Sequence, residues 1–119
     1  MENLIFNTRE PKFITNRRER LRLEALVAGK RALEAIKSAG GQAVLFGSVL
    51  RPGGFLEDSD IDICLLSPSS YVNGESFRLF LVAESAVENF PVDISWLDDL
   101  DETVRQKVLT EGKNASDLR

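Results

Sequence analysis

The sequence predicts a single α/β (α+β) domain with a small three-stranded sheet and flanking helices. Three short apolar segments favour strands, and longer segments with helical spacing precede, separate and follow them in the order α-β-β-α-β-α. The chain has 119 residues, 43% of them hydrophobic and 29% charged, which is typical of one globular domain. We divide it into an N-terminal extension (1–15), a domain (16–112) and a loose C-terminal tail (113–119).

The first predicted element is a helix from Asn16 to Ala39. Asn16 can cap its start, and Gly40-Gly41 stops it. Residues 43–46 are short, apolar and β-prone, which predicts a buried strand that ends at Gly47-Ser48. The apolar residues of the helix share one broad face, with charges mostly opposite: Leu23, Leu26, Val27, Leu33 and Ile36.

Alternating polarity predicts two further strands. In residues 59–66, which follow a loop containing Pro52-Gly53-Gly54, one face is apolar. Its opposite face carries Asp60, Asp62 and Cys64. After a predicted helix over 75–89, residues 92–96 alternate in the same way, with Asp93 and Ser95 on the polar phase.

A last helix is predicted after the third strand. Asp98 and Asp99 favour its first turn, and Gly112 closes it. Its apolar residues recur four apart: Leu100, Val104 and Val108.

The composition excludes several kinds of chemistry. The chain has no histidine and one cysteine, so imidazole catalysis, an intramolecular disulfide and multi-cysteine zinc sites are excluded. No charged-apolar-small signal-peptide pattern opens this sequence, and no apolar run approaches roughly 18 residues, so we expect a cytoplasmic protein without a membrane segment.

Charge is distributed unevenly along the chain. Residues 9–22 contain six basic and two acidic side chains, although the whole chain has a net charge of −4. An acidic body with one short basic segment is not typical of a duplex-DNA binder. We favour a solvated helix face for residues 9–22, and a local anion or RNA contact is the alternative.

Three aspartates interrupt the apolar strands on the same alternate phase. Asp60 and Asp62 project from one strand face about 7 Å apart, and Asp93 can join them from a neighbouring strand. Carboxylates this close repel each other unless a cation lies between them, and oxygen ligands suit magnesium or manganese. Gly47 lets the backbone approach a phosphate, to which the Ser48 hydroxyl can donate.

These parts can meet only in a mixed sheet. The end of the first strand must lie beside the start of the second, which makes the pair antiparallel. The third strand must run parallel to the second, and the predicted helix over 75–89 is long enough for that crossover. Alone, Gly47-Ser48 fits an ordinary turn and the aspartates fit a solvated sheet face, but their combination favours a functional site.

These residues resemble a known signature. Phe46-Gly47-Ser48, followed after a loop by Ser59-Asp60-Ile61-Asp62-Ile63, is similar to the signature of the DNA-polymerase-β-type nucleotidyltransferase superfamily. Val92-Asp93-Ile94 resembles its third-acid strand, and the similarity covers about residues 20–112. Eleven residues separate Ser48 from Asp60, one more than the minimal members usually have.

The resemblance implies a polymerase-β palm-like fold and a specific reaction. A nucleoside monophosphate would pass from ATP, or another nucleoside triphosphate, to a hydroxyl with release of pyrophosphate. The resemblance implies that Asp60, Asp62 and Asp93 are catalytic and hold Mg²⁺ or Mn²⁺, and that Gly47 and Ser48 bind the nucleotide. Arg51 lies near the position of a basic loop residue in the family and is either a phosphate contact or an exposed loop arginine.

The resemblance also implies a partner. Minimal members typically pair with a small helical HEPN-type protein in a toxin–antitoxin module, where the enzyme is the antitoxin and adenylylates a tyrosine of the toxin. Two alternatives remain: a nucleotidyltransferase that acts on RNA or a small molecule, and an inactive regulatory domain of the same fold. The candidates for contact with a partner, a second copy or the chain's own core are Ile5, Phe6, Phe13 and Ile14.

Overall fold

The computed structural model describes residues 12–66 and 75–118 of the chain. Within these ranges three α-helices surround a three-stranded sheet, which confirms the predicted α/β architecture and element order. None of the described helices is both long and apolar enough to cross a bilayer. The elements are α1 (Lys12–Ser38), β1 (Ala43–Phe46), β2 (Ile61–Leu65), α2 (Glu75–Ala86), β3 (Val92–Trp96) and α3 (Glu102–Glu111).

The sheet is mixed, as the proposed meeting of the motifs requires. Its strand order is β1-β2-β3, with β1 antiparallel and β3 parallel to the central strand β2. The register aligns Phe46 with Asp62 and Asp62 with Asp93 across the three strands. The end of β1 and the starts of β2 and β3 therefore lie at the same edge of the sheet.

The first sheet face is buried under α1 and α2. From α1 the buried residues recur three or four apart, and small side chains among them let the helix lie close to the sheet: Ala25, Ala28, Ala32, Leu33 and Ile36. The predicted apolar face is therefore wrong in part, because Leu23 and Val27 are 50% and 52% exposed. The helix is rotated so that its alanines, rather than these larger residues, meet the core.

The second sheet face is covered at one end by α3. Cys64 and Val108 are buried, and Val44, which pairs with Cys64 on this face, lies against Gly112. The alternation of β2 placed Cys64 beside the aspartates on a polar face, but the structure divides that face. Its far half packs under α3, and the half with Asp62 and Asp93 stays at the other end.

Several element boundaries differ from the predicted ones. The helix α1 begins at Lys12 rather than Asn16, and β2 begins at Ile61, so that Asp60 precedes the strand. Asp98 and Asp99 lie in a short 3-10 helix, Leu97–Asp99, instead of the first turn of α3. The carboxylate of Asp101 caps α3 by accepting a hydrogen bond from the Val104 amide at 2.9 Å.

Residues 113–118 pack as an ordered segment, whereas the sequence predicted a loose tail. The backbone of Lys113 exchanges two hydrogen bonds with Leu45, at 2.8 and 2.9 Å. Asn114 and Asp117 then form a reciprocal capping box around a 3-10 helix. The predicted contact residues Ile5 and Phe6, and the side chains of Phe13 and Ile14, lie outside the described part of the chain.

The first prediction concerns this ordered segment. We expect truncation after Gly112 to lower the free energy of unfolding by about 1–3 kcal/mol, because it removes two backbone hydrogen bonds from β1 and the packing of Ala115 and Leu118 on the core. Urea denaturation of the purified proteins measures the difference. The control is Lys113→Ala, which keeps both backbone bonds and is expected to change stability little. Equal stability of the truncated and full chains would contradict the observed packing.

Candidate active site

Asp62 and Asp93 lie side by side on neighbouring strands. They are register partners of the parallel pair, and adjacent strands are about 4.8 Å apart, so both carboxylates leave the same sheet face close together. Asp60 lies just before β2 on the same phase as Asp62. Asp60 and Asp93 are exposed, whereas Asp62 is half-buried. The structure thus brings the three predicted acidic residues to one edge of the sheet.

The electrostatics of Asp62 reflect this proximity. Its pKa is raised from the ordinary value of 3.8 to about 6, first by burial and then by the negative charges of Asp93 and Asp60. Arg51 opposes the shift by favouring the charged carboxylate. Two other aspartates therefore lie near enough to Asp62 to repel it, and the loop arginine lies near enough to attract it.

Gly47 joins β1 to this cluster. Its φ of +82° is in the left-handed region that favours glycine. A Cβ atom at this position would overlap the Oδ2 atom of Asp62. Gly47 therefore provides both the sharp turn at the end of β1 and the space that the Asp62 carboxylate occupies.

Ser48 lies in a short 3-10 helix, Gly47–Leu50, and Arg51 is the residue directly after this helix. The Arg51 amide donates to the Ser48 carbonyl oxygen at 3.1 Å. Val49, between them, is buried in the core, whereas Arg51 is exposed. This arrangement fixes the backbone next to the aspartates and leaves the Arg51 side chain accessible to a ligand.

The donor chemistry of this edge fits a hard divalent cation. Carboxylate oxygens are the ligands that magnesium and manganese prefer, and a cation would relieve the repulsion by Asp93 and Asp60 that adds to burial in raising the pKa of Asp62. Among the described residues, no three acidic or thiol side chains are close enough to form a complete metal-binding group. Asp60, Asp62 and Asp93 would therefore have to converge further to bind one ion together.

The comparison with protein families identifies the class. The family model of the nucleotidyltransferase domain matches residues 29–115, a range that contains the glycine-serine turn and all three aspartates. The chain belongs to this family and is a nucleotidyltransferase, an enzyme that uses a nucleoside triphosphate and a divalent metal ion. No curated protein sequence matches the chain.

The sequence did not identify two groups that hold the loop before Asp60. Phe55 is buried and makes an edge contact with Phe90, with ring centroids 6.0 Å apart. Arg22, within the basic segment that we assigned to a solvated helix face, instead donates to a loop carbonyl and is 11% exposed. Nothing in the sequence distinguished it from the neighbouring arginines, because its partner is 27 residues away.

The second prediction tests the contact between Gly47 and Asp62. We expect Gly47→Ala to lower the free energy of unfolding by on the order of 3 kcal/mol, since the new methyl group meets Asp62 and the backbone is strained. Gly53→Ala is the matched control, because Gly53 has a φ of +77° with nothing within 4 Å of the added atom. It is expected to cost about 1 kcal/mol through strain alone. Equal losses in urea denaturation would contradict a steric role for Asp62.

The third prediction concerns the pH dependence of stability without divalent cations. Because folding raises the pKa of Asp62, the folded chain binds more protons than the unfolded chain between about pH 4 and 6. Stability due to this group is present below pH 4 and is lost as the pH rises through 6. We expect Asp62→Asn to be more stable than wild type above pH 6, by on the order of 1 kcal/mol after solvent screening.

The same experiment contains its own checks. Well below pH 3.8 the difference between Asp62→Asn and wild type should vanish, because the wild-type carboxyl is then protonated in both the folded and the unfolded state. Asp99→Asn, at an exposed position in the 3-10 helix after β3, is the matched control. A stability gain by Asp62→Asn that is independent of pH would show that the cost of holding this charge, through burial and the neighbouring aspartates, is not its cause.

Proposed function

We propose that this enzyme transfers AMP from ATP to a tyrosine of a small helical HEPN-type protein, with Mg²⁺, as the antitoxin of a toxin–antitoxin pair. The observation that carries the proposal is the single sheet edge at which Asp62, its register partner Asp93 and the Gly47-Ser48 turn meet. Acidic groups and a phosphate-binding turn side by side are what nucleotidyl transfer requires.

Asp60, Asp62 and Asp93 would hold the divalent metal, which supplies electrostatic stabilisation to the oxygens of the triphosphate. The Ser48 hydroxyl donates a hydrogen bond to the terminal phosphates, and Arg51 neutralises part of their charge. The acceptor oxygen forms a bond to the α-phosphorus while the bond to the β-phosphate oxygen breaks, so pyrophosphate leaves. The Asp93 carboxylate accepts the proton of the acceptor hydroxyl.

The exposure of the acidic cluster supports an acceptor that comes from outside the chain. Asp60 and Asp93 are exposed, and α3 covers the opposite end of the same sheet face. A shallow edge of this kind gives little enclosure to a small acceptor molecule. A protein surface that carries its own hydroxyl would close the site, and this favours a tyrosine of a partner protein.

RNA is the second candidate acceptor. Arg17, Arg18 and Arg20 line a groove of about 510 Å³ on the N-terminal half of α1. Glu24 and Glu57 line the same groove, and Glu57 pairs with Arg17 at 3.2 Å. These carboxylates offset the positive charge that would attract a phosphate backbone, so the groove supports RNA less than the site supports a protein acceptor.

The fourth prediction tests the acceptor directly. When the chain is incubated with ATP, Mg²⁺ and the small helical protein that we propose as its partner, we expect that protein to gain about 329 Da per adenylyl group on intact-mass analysis. Peptide mapping should place the added group on a tyrosine. Asp60→Asn and Asp62→Asn should each abolish the gain, because each removes ligand charge with little change in volume.

Asp99→Asn is the control for this experiment, because it removes an exposed acidic group outside the cluster. It should retain full transfer. An unmodified partner protein, together with labelled RNA or a labelled small molecule, would replace the proposed acceptor by the alternative. Absence of any transfer by a folded wild-type protein would favour the inactive regulatory domain.

A further inference from the structure

One arginine of α1 reaches the loop that the proposed function assigns to the nucleotide. The Nη1 atom of Arg22 donates to the carbonyl oxygen of Val49 at 3.0 Å. Val49 stands directly after Ser48 and two residues before Arg51. The contact thus lies between the two side chains that we propose to bind phosphates.

The side chain of Arg22 is itself held in place. Its Nε and Nη2 atoms donate to the carboxylate of Glu19, with shortest distances of 3.1 and 2.7 Å, and its side chain is only 11% exposed. The hydrogen bond from Arg22 is the main reason that the pKa of Glu19 is lowered. The backbone amide of Gly53 also interacts with this carboxylate and lowers the same pKa. The pair therefore contacts the loop on both sides of Arg51.

A second ion pair connects the same helix to a later position in the segment between β1 and β2, but it differs in its environment. Arg17 and Glu57 are 3.2 Å apart with side chains 74% and 70% exposed. An exposed pair of this kind contributes little, because water screens it and both side chains lose freedom. The shielded Arg22 bond to a carbonyl oxygen is charge-assisted and stronger.

We propose that Arg22, oriented by Glu19, is a positioning residue that holds the Gly47–Gly54 loop in its nucleotide-binding conformation. This inference rests on the proposed function of Ser48 and Arg51. The loop has its own local bonds, from the Arg51 amide to Ser48 at 3.1 Å and from the Gly54 amide to Arg51 at 2.8 Å. These bonds shape each turn, and Arg22 fixes the loop relative to α1.

The expected kinetic effect follows from the position of the loop, which lies outside the hydrogen-bonded strands and can change conformation without them. Arg22→Gln removes the reach to Val49, so the loop samples conformations that do not bind the triphosphate. The apparent affinity then falls by the fraction of competent loop. We expect the KM for ATP to rise about tenfold while kcat changes less than about twofold, because the loop holds ground state and transition state alike.

The experiment compares four variants with wild type by two measurements. The variants are Arg22→Gln, Arg22→Lys, Glu19→Gln and the matched control Arg17→Gln, whose ion pair is exposed. The first measurement is hydrogen exchange of the amides of residues 47–54 without nucleotide. The second is the KM and kcat for ATP in the transfer reaction.

We expect Arg22→Gln to accelerate hydrogen exchange of the loop amides and to raise the KM for ATP. Arg22→Lys should restore part of both quantities, because it keeps the charge and a donor group. Arg17→Gln should leave both quantities unchanged. Glu19→Gln keeps an acceptor for Arg22, so we expect it to fold readily and to change loop exchange and KM less than Arg22→Gln does. Unchanged loop exchange in Arg22→Gln and Glu19→Gln would overturn the inference whether or not the enzyme is active. Faster exchange with an unchanged KM would overturn the positioning role.

The hydrogen-exchange measurement separates this inference from the proposed function. If wild type neither binds ATP nor transfers a nucleotide, the proposed function is wrong and the nucleotide role of Arg22 is overturned with it. If wild type is active and only the Arg22 variants fail to show the KM increase, the proposed function stands and the inference alone is wrong.

Discussion

Mutual repulsion between carboxylates at one sheet edge is the interaction around which this structure is arranged. The pairing of β2 and β3 aligns Asp62 with Asp93, and burial, followed by the negative charges of Asp93 and Asp60, raises the pKa of Asp62 to about 6. Holding like charges this close lowers the stability of the fold. Burial of the apolar residues on the other face of the same strands offsets this cost. The edge is thus prepared for a positive ligand, because a divalent cation would turn the repulsion into attraction.

The two sheet faces have different roles as a result. One face is fully apolar and packs on α1 and α2, so it fixes the register of the strands. The other is divided along its length, with α3 and Gly112 against β1 at one end and the aspartates at the other. Since a register shift of one residue would exchange the faces, the core and the acidic cluster depend on the same pairing.

The segment between β1 and β2 shows how a loop next to a charged cluster can be kept in one conformation. Gly47 allows the turn, Val49 and Phe55 anchor the backbone in the core, and Arg22 donates to the carbonyl oxygen of Val49. These contacts come from three different physical sources: backbone freedom, apolar burial and a charge-assisted hydrogen bond. Together they leave Arg51 exposed on an otherwise fixed backbone, within reach of the charge on Asp62.

The sequence by itself determined the element order, because strand alternation and helical spacing are local patterns. It also determined the mixed sheet and the meeting of Gly47, Asp62 and Asp93, because only one arrangement of the strands brings these motif residues together. It did not determine which helix residues face the core, so Leu23 and Val27 were assigned inward although alanines pack there. It also did not determine that α3 packs against β1, that Lys113 pairs with Leu45 of β1, or that Arg22 differs from its neighbours. Each of these depends on contacts between residues far apart in the chain, and such contacts exist only once the helices have docked on the sheet.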